Sequence, residues 1–373
     1  MNDRDEATRA ETVGSLLRDE AVVRAARRGG PADAAVLDDA ARDAIRLQEE
    51  AGLDVITDGE VRRVAWAQTT RFLDAFAATS GRGALNWRGA SDGPSGAPDP
   101  GDRPAGYPAV VRRIATAPRI GDMTDEYAFL ARYARVRTKY TMPAPSYHRR
   151  YWSAGHSTSV YDSAEEYLTE VRDFQRSVVD KLVSLGCDYI QLDAPNYGSL
   201  CDPDTRAAMR AAGRDPDAEL AFDAELDSSL FEGVSGVTTA LHVCRGNGPG
   251  GAWHSAGGYS AISAGLFPKL AFSRLLLEYD SDRAGGFEPL ADVRDGTTVV
   301  LGLLTTKSDQ LESEDDVIAR ITEATGYKPL DELALSTQCG FASVPVDNPV
   351  TQAVQRAKLE MVGRLARRVW PLA

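Results

Sequence analysis

Short apolar runs recur along this chain, each leading into a polar cluster and then into a stretch with helical periodicity. Val55-Ile56-Thr57, Tyr189-Ile190-Gln191-Leu192, Thr238 to Val243, Leu275-Leu276-Leu277 and Val299 to Leu304 read as strands buried on both faces. Between them lie amphipathic segments. Residues 34–51 set Val36, Ile45 and Leu47 against a charged face. Residues 163–186 open on Ser163-Ala164-Glu165-Glu166, a capping-box spacing, and close at Gly186. Residues 314–326 and 350–369 repeat the pattern, the last stopping before Pro371. Such alternation over 373 residues predicts an α/β fold, and a (β/α)8 TIM barrel in preference to an open sheet. A single catalytic domain over residues 1–373 fits this length. About nine strand candidates compete for the eight places of such a barrel, the weakest around residues 109–115 and 136–142. No G-x-G-x-x-G follows a strand, which removes the usual dinucleotide signature.

Residues 79–107 break the pattern. From Gly81 to Tyr107 the chain is dense in Gly, Pro, Asp and Ser and has little to bury, so a long mobile loop within the domain is expected. The 42 Lys+Arg against 55 Asp+Glu leave a net charge of −13, which argues against a broad electrostatic grip on nucleic acid or on anionic membranes. The N-terminal stretch lacks an apolar core for a secretory signal, and no run approaches the ~18 apolar residues of a membrane span. Four cysteines without a C-x-x-C pair do not make a disulfide framework. A reduced, cytoplasmic enzyme is the expected class.

In a parallel barrel the chemistry lies where strands end. Val13 leads into Gly14-Ser15, Val55-Ile56 into Thr57-Asp58-Gly59-Glu60, and Ile190 through Gln191-Leu192 into Asp193. Leu241 is followed by His242-Val243-Cys244-Arg245-Gly246-Asn247, and Leu277 by Glu278-Tyr279-Asp280. Leu304 runs into Thr305-Thr306-Lys307, and Leu335 into Ser336-Thr337-Gln338-Cys339-Gly340. His242 and Cys244, two apart on a strand, face the same way. A lone H-x-C is a weak motif, but Glu278 and Cys339 also end strands. Two thiolates, an imidazole and a carboxylate make a four-ligand set suited to Zn²⁺. Cys187 precedes a strand and reads as a small buried residue, while Cys201 sits in a loop, exposed or incidental. His148, His156 and His254 have no partner at ligand spacing and read as loop or substrate-contact residues.

These segments also resemble a known family. Thr12-Val13-Gly14-Ser15, Gly52 to Glu60, Ile190 to Pro195, His242 to Asn247, Leu277 to Asp280 and Gln338-Cys339-Gly340-Phe341-Ala342-Ser343 are similar to the catalytic C-terminal barrel of the cobalamin-independent methionine synthases and to the single-barrel proteins related to it. The resemblance runs from about residue 10 to the end of the chain. It implies a zinc-dependent methyltransferase, with His242, Cys244, Glu278 and Cys339 as the metal ligands. It further implies that Glu60 and Asp193 bind a substrate ammonium, a charge-assisted clamp, and that Val13 and Ser15 hold its carboxylate. Arg112 and Trp152 fall near the places where the family contacts folate. The run Tyr147-His148-Arg149-Arg150-Tyr151-Trp152 suits a planar, polyanionic donor through arginine pairing and stacking. Lys307 stands where the long methionine synthases carry a catalytic histidine and the single-barrel relatives carry lysine. Lys307 and Asp193 are therefore the candidate catalytic residues.

The function implied is transfer of a methyl group from a reduced folate, or another methyl donor, to the zinc-bound thiolate of homocysteine or a similar thiol. A thiol transferase acting on an epoxide or a specialised metabolite is the alternative, followed by a non-catalytic zinc-binding barrel.

Overall fold

A computed structural model of the chain describes residues 8–67, 75–77, 87–88, 108–114, 120–344 and 348–371. Its main sheet is entirely parallel, and its strands take the eight positions of a barrel in chain order. These are β1 (Ala10–Glu11), β2 (Val55–Ile56), β3 (in two pieces, Arg137–Thr138 and Tyr140–Pro143), β4 (Tyr189–Asp193), β5 (Thr238–Val243), β6 (Arg274–Glu278), β7 (Thr298–Leu304) and β8 (Leu333–Thr337). The first piece of β3 pairs with β2 and the second with β4, while β1 pairs with both β2 and β8. The two ends of the sheet are thus successive pieces of one strand, separated only by Lys139. Its amide continues the ladder by donating to the Ile56 carbonyl at 2.9 Å.

The weak strand candidates divide cleanly. Residues 136–142 form β3, whereas Ala109–Val110 pairs antiparallel with Phe76–Ala77 in a small separate sheet. Of the segment 79–107, only Trp87 and Arg88 fall among the described residues. The four helical segments expected from periodicity appear as Ala34–Glu50, Ala164–Ser184, Glu314–Ala324 and Gln352–Val369. Ser163 caps the second of these by accepting from the Glu166 amide. Among the described residues, no helix is long and apolar enough to cross a membrane.

The strand runs are apolar throughout because both faces are covered. Ile190, Leu192, Leu241, Leu275, Leu277, Leu301 and Leu335 pack in one core with the helix residues Val179, Ile321 and Val362. The alternate residues Val55, Tyr189, Ala240, Leu276, Val300 and Ala334 fill the barrel together with Val13. One layer of the interior is ionic. Glu11, fully buried, accepts from Lys139 Nζ at 2.7 Å, from Arg274 at 2.9 Å and from the Tyr189 hydroxyl at 2.8 Å. Burial alone would raise the Glu11 pKa, but the two cations bring it down to about 2.

This layer predicts an order of stabilities. Glu11→Leu strands two buried cations and is expected to cost on the order of 3–5 kcal/mol. Lys139→Met is expected to cost less, since Arg274 and Tyr189 still satisfy Glu11. Urea unfolding of the two variants checks the order, and equal losses would refute it.

Candidate metal centre

Alternation along β5 turns Ala240, His242 and the following Cys244 to the inside, and β8 runs into Cys339 across the barrel. The three donor atoms of His242, Cys244 and Cys339 lie within 4.8 Å of one another, and all three residues are buried. Among the described residues this is the one such group able to hold a metal ion. His242 Nδ1 lies 3.1 Å from the Leu276 carbonyl, which only accepts, so the proton sits on Nδ1 and Nε2 faces the cysteines with its lone pair. That Nε2 is buried and has no hydrogen-bond partner. A hydrogen bond from Cys244, with further help from His242, holds the Cys339 thiol well below its ordinary range. The same bond to Cys339, and then burial, push Cys244 well above it. Burial opposes the imidazolium, yet Cys339 and Asp193 outweigh it and raise the His242 pKa. A soft divalent cation suits this set, its two positive charges taking the place of the two thiol protons.

Glu278 ends β6, fully buried, but its carboxylate stands outside this group. One oxygen accepts from the Arg245 amide at 2.8 Å and from Gln338 Nε2 at 3.2 Å; the other accepts from Arg283 at 2.9 Å. Burial would raise its pKa, but Lys307, Arg245 and Arg283 hold it at about 2.

The Cys/His group forms part of the wall of a cavity of about 350 Å³, within the usual range for small-molecule sites. Val13, Ser15, Glu60 and Asp193 line it. Gly340 lets the β8 end close on the β1 end: a Cβ there would lie 2.4 Å from Ser15 Oγ, and the Phe341 amide donates to the Ser15 carbonyl at 2.7 Å. Gly198 does the same behind Cys244, whose carbonyl would be 1.9 Å from an added Cβ. Asp193 pairs with His242 across the β4–β5 register and accepts from Gln191 Nε2 at 2.7 Å. Burial, followed by the nearby Glu60, raises its pKa to about 7. Glu60 is the one non-glycine with positive φ among the described residues, at 53°, a strained conformation typical of functional sites. Its Oε1 accepts from Thr141 at 2.6 Å and pairs with Arg63 at 3.3 Å, while its buried Oε2 has no hydrogen-bond partner.

Other expected residues lie elsewhere. Trp152 stacks on Tyr167 (6.4 Å, 23°), and exposed Arg112 is also outside the cavity lining. Lys307 does not line the cavity either. Its ammonium donates to the Gly246 carbonyl at 2.6 Å and to Asn247 Oδ1 at 3.2 Å, tying down the turn after Cys244. Cys201, expected in an exposed or incidental position, is buried, as is Cys187.

Some wall residues come from the run 147–152 and from His254, which the sequence marked, while Trp66 and Trp87 had no signal there. Most of the run 147–152 folds as the 3-10 helix Ser146–Tyr151, which brings Tyr147 and Arg150, one three-residue turn apart, and the adjacent Tyr151 to the cavity. Trp66 packs on Tyr147 at 4.7 Å, and Trp87 approaches His254 at 5.8 Å. Burial lowers the His254 pKa to about 4, so this imidazole is neutral. Asp227, on the distant helix Pro216–Ser229, anchors the 3-10 helix through the Ser146 amide (2.8 Å) and hydroxyl (2.6 Å).

No protein-family model matches the chain. It is 33% identical to the uncharacterized protein YxjH of Bacillus subtilis (strain 168), covering 97% of this chain and 94% of that protein. YxjG of the same organism is also 33% identical, over the same shares. The chain belongs to their family. Among solved structures it resembles a protein of Listeria monocytogenes assigned as a vitamin-B12-independent methionine synthase, with a TM-score of 0.69 and 25% identity over 97% and 98% of the two chains. A B12-independent methionine synthase from Shewanella sp. W3-18-1, solved with selenomethionine, shares the fold with a TM-score of 0.65 and 20% identity over 96% of each chain. A methyltransferase from Methanosarcina mazei follows with a TM-score of 0.53 and 12% identity, over 97% of this chain and 94% of that one. The structural neighbours of this family member are therefore methionine-synthase-like barrels, which supports a methyltransferase type of enzyme.

The Asp227 anchor carries a pH signature. Burial raises its pKa to about 7, above the unfolded value near 3.9. Between these values the folded state holds a proton that the unfolded state lacks, so this contribution to stability fades as pH rises from about 4 to 7. Wild type is expected to lose about 2 kcal/mol more than Asp227→Asn between pH 5 and pH 8. Denaturant titrations at both pH values test this, and parallel losses would count against it.

Proposed function

We propose that the chain is a zinc-dependent thiol alkyltransferase. In this reading it moves a methyl group from a reduced folate or another methyl donor to homocysteine or a similar thiol. The observation that carries the proposal is the placement of the buried His242, Cys244 and Cys339 group in the same cavity wall as Glu60 and Asp193. The first three residues would hold the zinc, which, when bound, lowers the pKa of a coordinated thiol so that its sulfur is a nucleophile at neutral pH. The two carboxylates suit the ammonium of an amino-acid thiol. Glu60 has an oxygen left over for such a donor, and a cation between the two would draw Asp193 back to its ionised form. Val13 and Ser15 sit where the amino-acid carboxylate belongs in this reading. The selenomethionine held by the Shewanella protein is an amino acid of the size and charge this end of the cavity suits.

The chain's own contribution is to bind, orient and keep water out. Trp66, Trp87, Tyr147 and Tyr151 give the donor end an apolar, aromatic lining, and Arg150 beside them supplies a cation for an anionic donor group. Lys307 serves in this account by fixing the Gly246-Asn247 turn. An epoxide as the electrophile uses the same thiol side, and only the donor end separates the two readings.

Elemental analysis of purified protein is expected to show one zinc per chain, lost together with activity in Cys339→Ser. Asp193→Asn is expected to keep the zinc and weaken homocysteine binding by about 10–100-fold. Zinc loss in that variant would make Asp193 structural. Methyl-transfer assays with several donors, run beside an epoxide assay, decide the electrophile.

A further inference from the structure

The strained backbone of Glu60 is tied on both sides. Its amide donates to Asp58 Oδ1 at 2.9 Å, and its carbonyl accepts from the Arg63 amide at 3.0 Å. The resulting turn brings the Arg63 side chain beside the Glu60 carboxylate. Thr141, on β3, joins the two. Its hydroxyl donates to Glu60 Oε1 at 2.6 Å and accepts from Arg63 Nη1 at 3.0 Å, while Nη1 lies 3.3 Å from the same Oε1. Arg63 Nη2 also donates to the Thr141 carbonyl at 2.8 Å. One Glu60 oxygen is thereby engaged. The other, Oε2, has no hydrogen-bond partner, in a residue that lines the cavity.

An arginine at contact distance weakens a carboxylate as a site for a cation, because pairing cancels its charge. The other edge of Arg63 offsets this. Glu126, on the helix Ile120–Tyr133, accepts from Arg63 Nε through Oε1 at 2.9 Å and Oε2 at 3.2 Å, and its Oε1 also accepts from Nη2. Glu60, Arg63 and Glu126 are all buried, so water screens them little. Arg18, the other cation acting on Glu60, turns its guanidinium to the carbonyls of Arg63 and Ala342.

We propose that Arg63 and Glu126 are positioning residues for a substrate ammonium: Arg63 and Thr141 hold Glu60 with one oxygen toward the cavity, and Glu126 takes up the Arg63 charge so that Glu60 keeps its own for the cation. This rests on the reading of Glu60 as an ammonium-binding carboxylate, and adds to it a device that favours thiols carrying an amino group. Without the Glu126 charge, Arg63 is left to neutralise Glu60, and the loss falls on the cationic substrate.

The test compares homocysteine with γ-mercaptobutyrate, the same thiol acid without its amino group, by calorimetric titration of the zinc-loaded protein. Wild type is expected to bind homocysteine about 10–100-fold more tightly. Glu126→Gln keeps an oxygen that accepts from both Nε and Nη2 and removes only the charge. It is expected to weaken homocysteine about tenfold and to leave γ-mercaptobutyrate within about twofold of wild type, with zinc retained. Equal weakening of both thiols would make Glu126 merely structural, and an unchanged preference would remove the charge argument; either overturns the proposal. Should Glu126→Gln fail to fold, Thr141→Val decides. It removes the hydroxyl that orients Glu60, and a loss of about tenfold confined to homocysteine is expected again. A loss shared by both thiols, or none, overturns the proposal there too. Glu60→Gln tests the underlying reading separately. If wild type shows no preference for homocysteine, or Glu60→Gln keeps that preference in full, the ammonium role of Glu60 fails whatever Glu126 does.

Discussion

The barrel is closed around a single charged knot. Lys139 is the residue at which β3 changes partners, from β2 on one side to β4 on the other, and its ammonium points inward to Glu11 on β1. Glu11 also takes Arg274 from β6 and the Tyr189 hydroxyl from β4. Four strand positions are thus fixed relative to one another by one carboxylate without access to water. Buried ion pairs of this kind are poor sources of net stability, because removing each charge from water offsets much of the attraction. Their geometry is nonetheless demanding. A slip of register in any of these strands would leave a buried charge without its partner, so the knot specifies the alignment of the strands whose far ends make the site.

That alignment is passed on through Gln191. Lys139 can only donate, so it fixes the Gln191 oxygen, and the amide nitrogen must then face the Val13 carbonyl and Asp193 Oδ1, at 2.9 and 2.7 Å. Two residues that line the cavity are in this way referred to the ionic layer below. His242 is oriented by a different part of the frame, the Leu276 carbonyl of β6. Asp193 is thus held from its own strand and His242 from the neighbouring one, and the donor atoms of His242, Cys244 and Cys339 converge although they come from widely separated parts of the chain.

The features readable in the sequence are those with a short-range cause. Strand runs are apolar because both faces are covered, and the two-residue repeat of a strand puts His242 and Cys244 on one side. Strand-end position also marked Cys339, and the resemblance to methionine synthases gave Glu60 and Asp193 their implied role, while the proximity of these residues follows from no local rule. What escaped has equally definite causes. Trp152 looked like a donor contact because it belongs to an aromatic, basic run, but the 3-10 helix turns Tyr147, Arg150 and Tyr151 to the cavity, and Trp152 lies past its end. Trp66 and Trp87 come from segments without periodicity, so nothing in their neighbourhoods marked them. Lys307 was placed by position along a strand end, which fixes where a backbone goes but not which of several carbonyls a long flexible side chain will reach.

The charges around the cavity also explain why an acidic chain builds a cationic ring behind its metal centre. Glu278 is surrounded by Arg245, Arg283 and Lys307, which keep it ionised although it is fully buried. The same cations would weaken a positively charged ion nearby if they faced it directly. They do not: Arg245 sends its guanidinium away to the Gly257 carbonyl and the Tyr259 ring, and Lys307 spends its ammonium on Gly246 and Asn247. The Glu278 oxygen on the side of the cysteines meets two neutral donors, the Arg245 backbone amide and Gln338 Nε2. The cysteine sulfurs and the His242 nitrogen form one electron-rich part of the cavity wall, and the carboxylates of Glu60 and Asp193 form another. Under the proposed function, two such faces set in apolar and aromatic walls would favour a ligand carrying one cation and one sulfur at a fixed separation over a compact cation or a simple thiol.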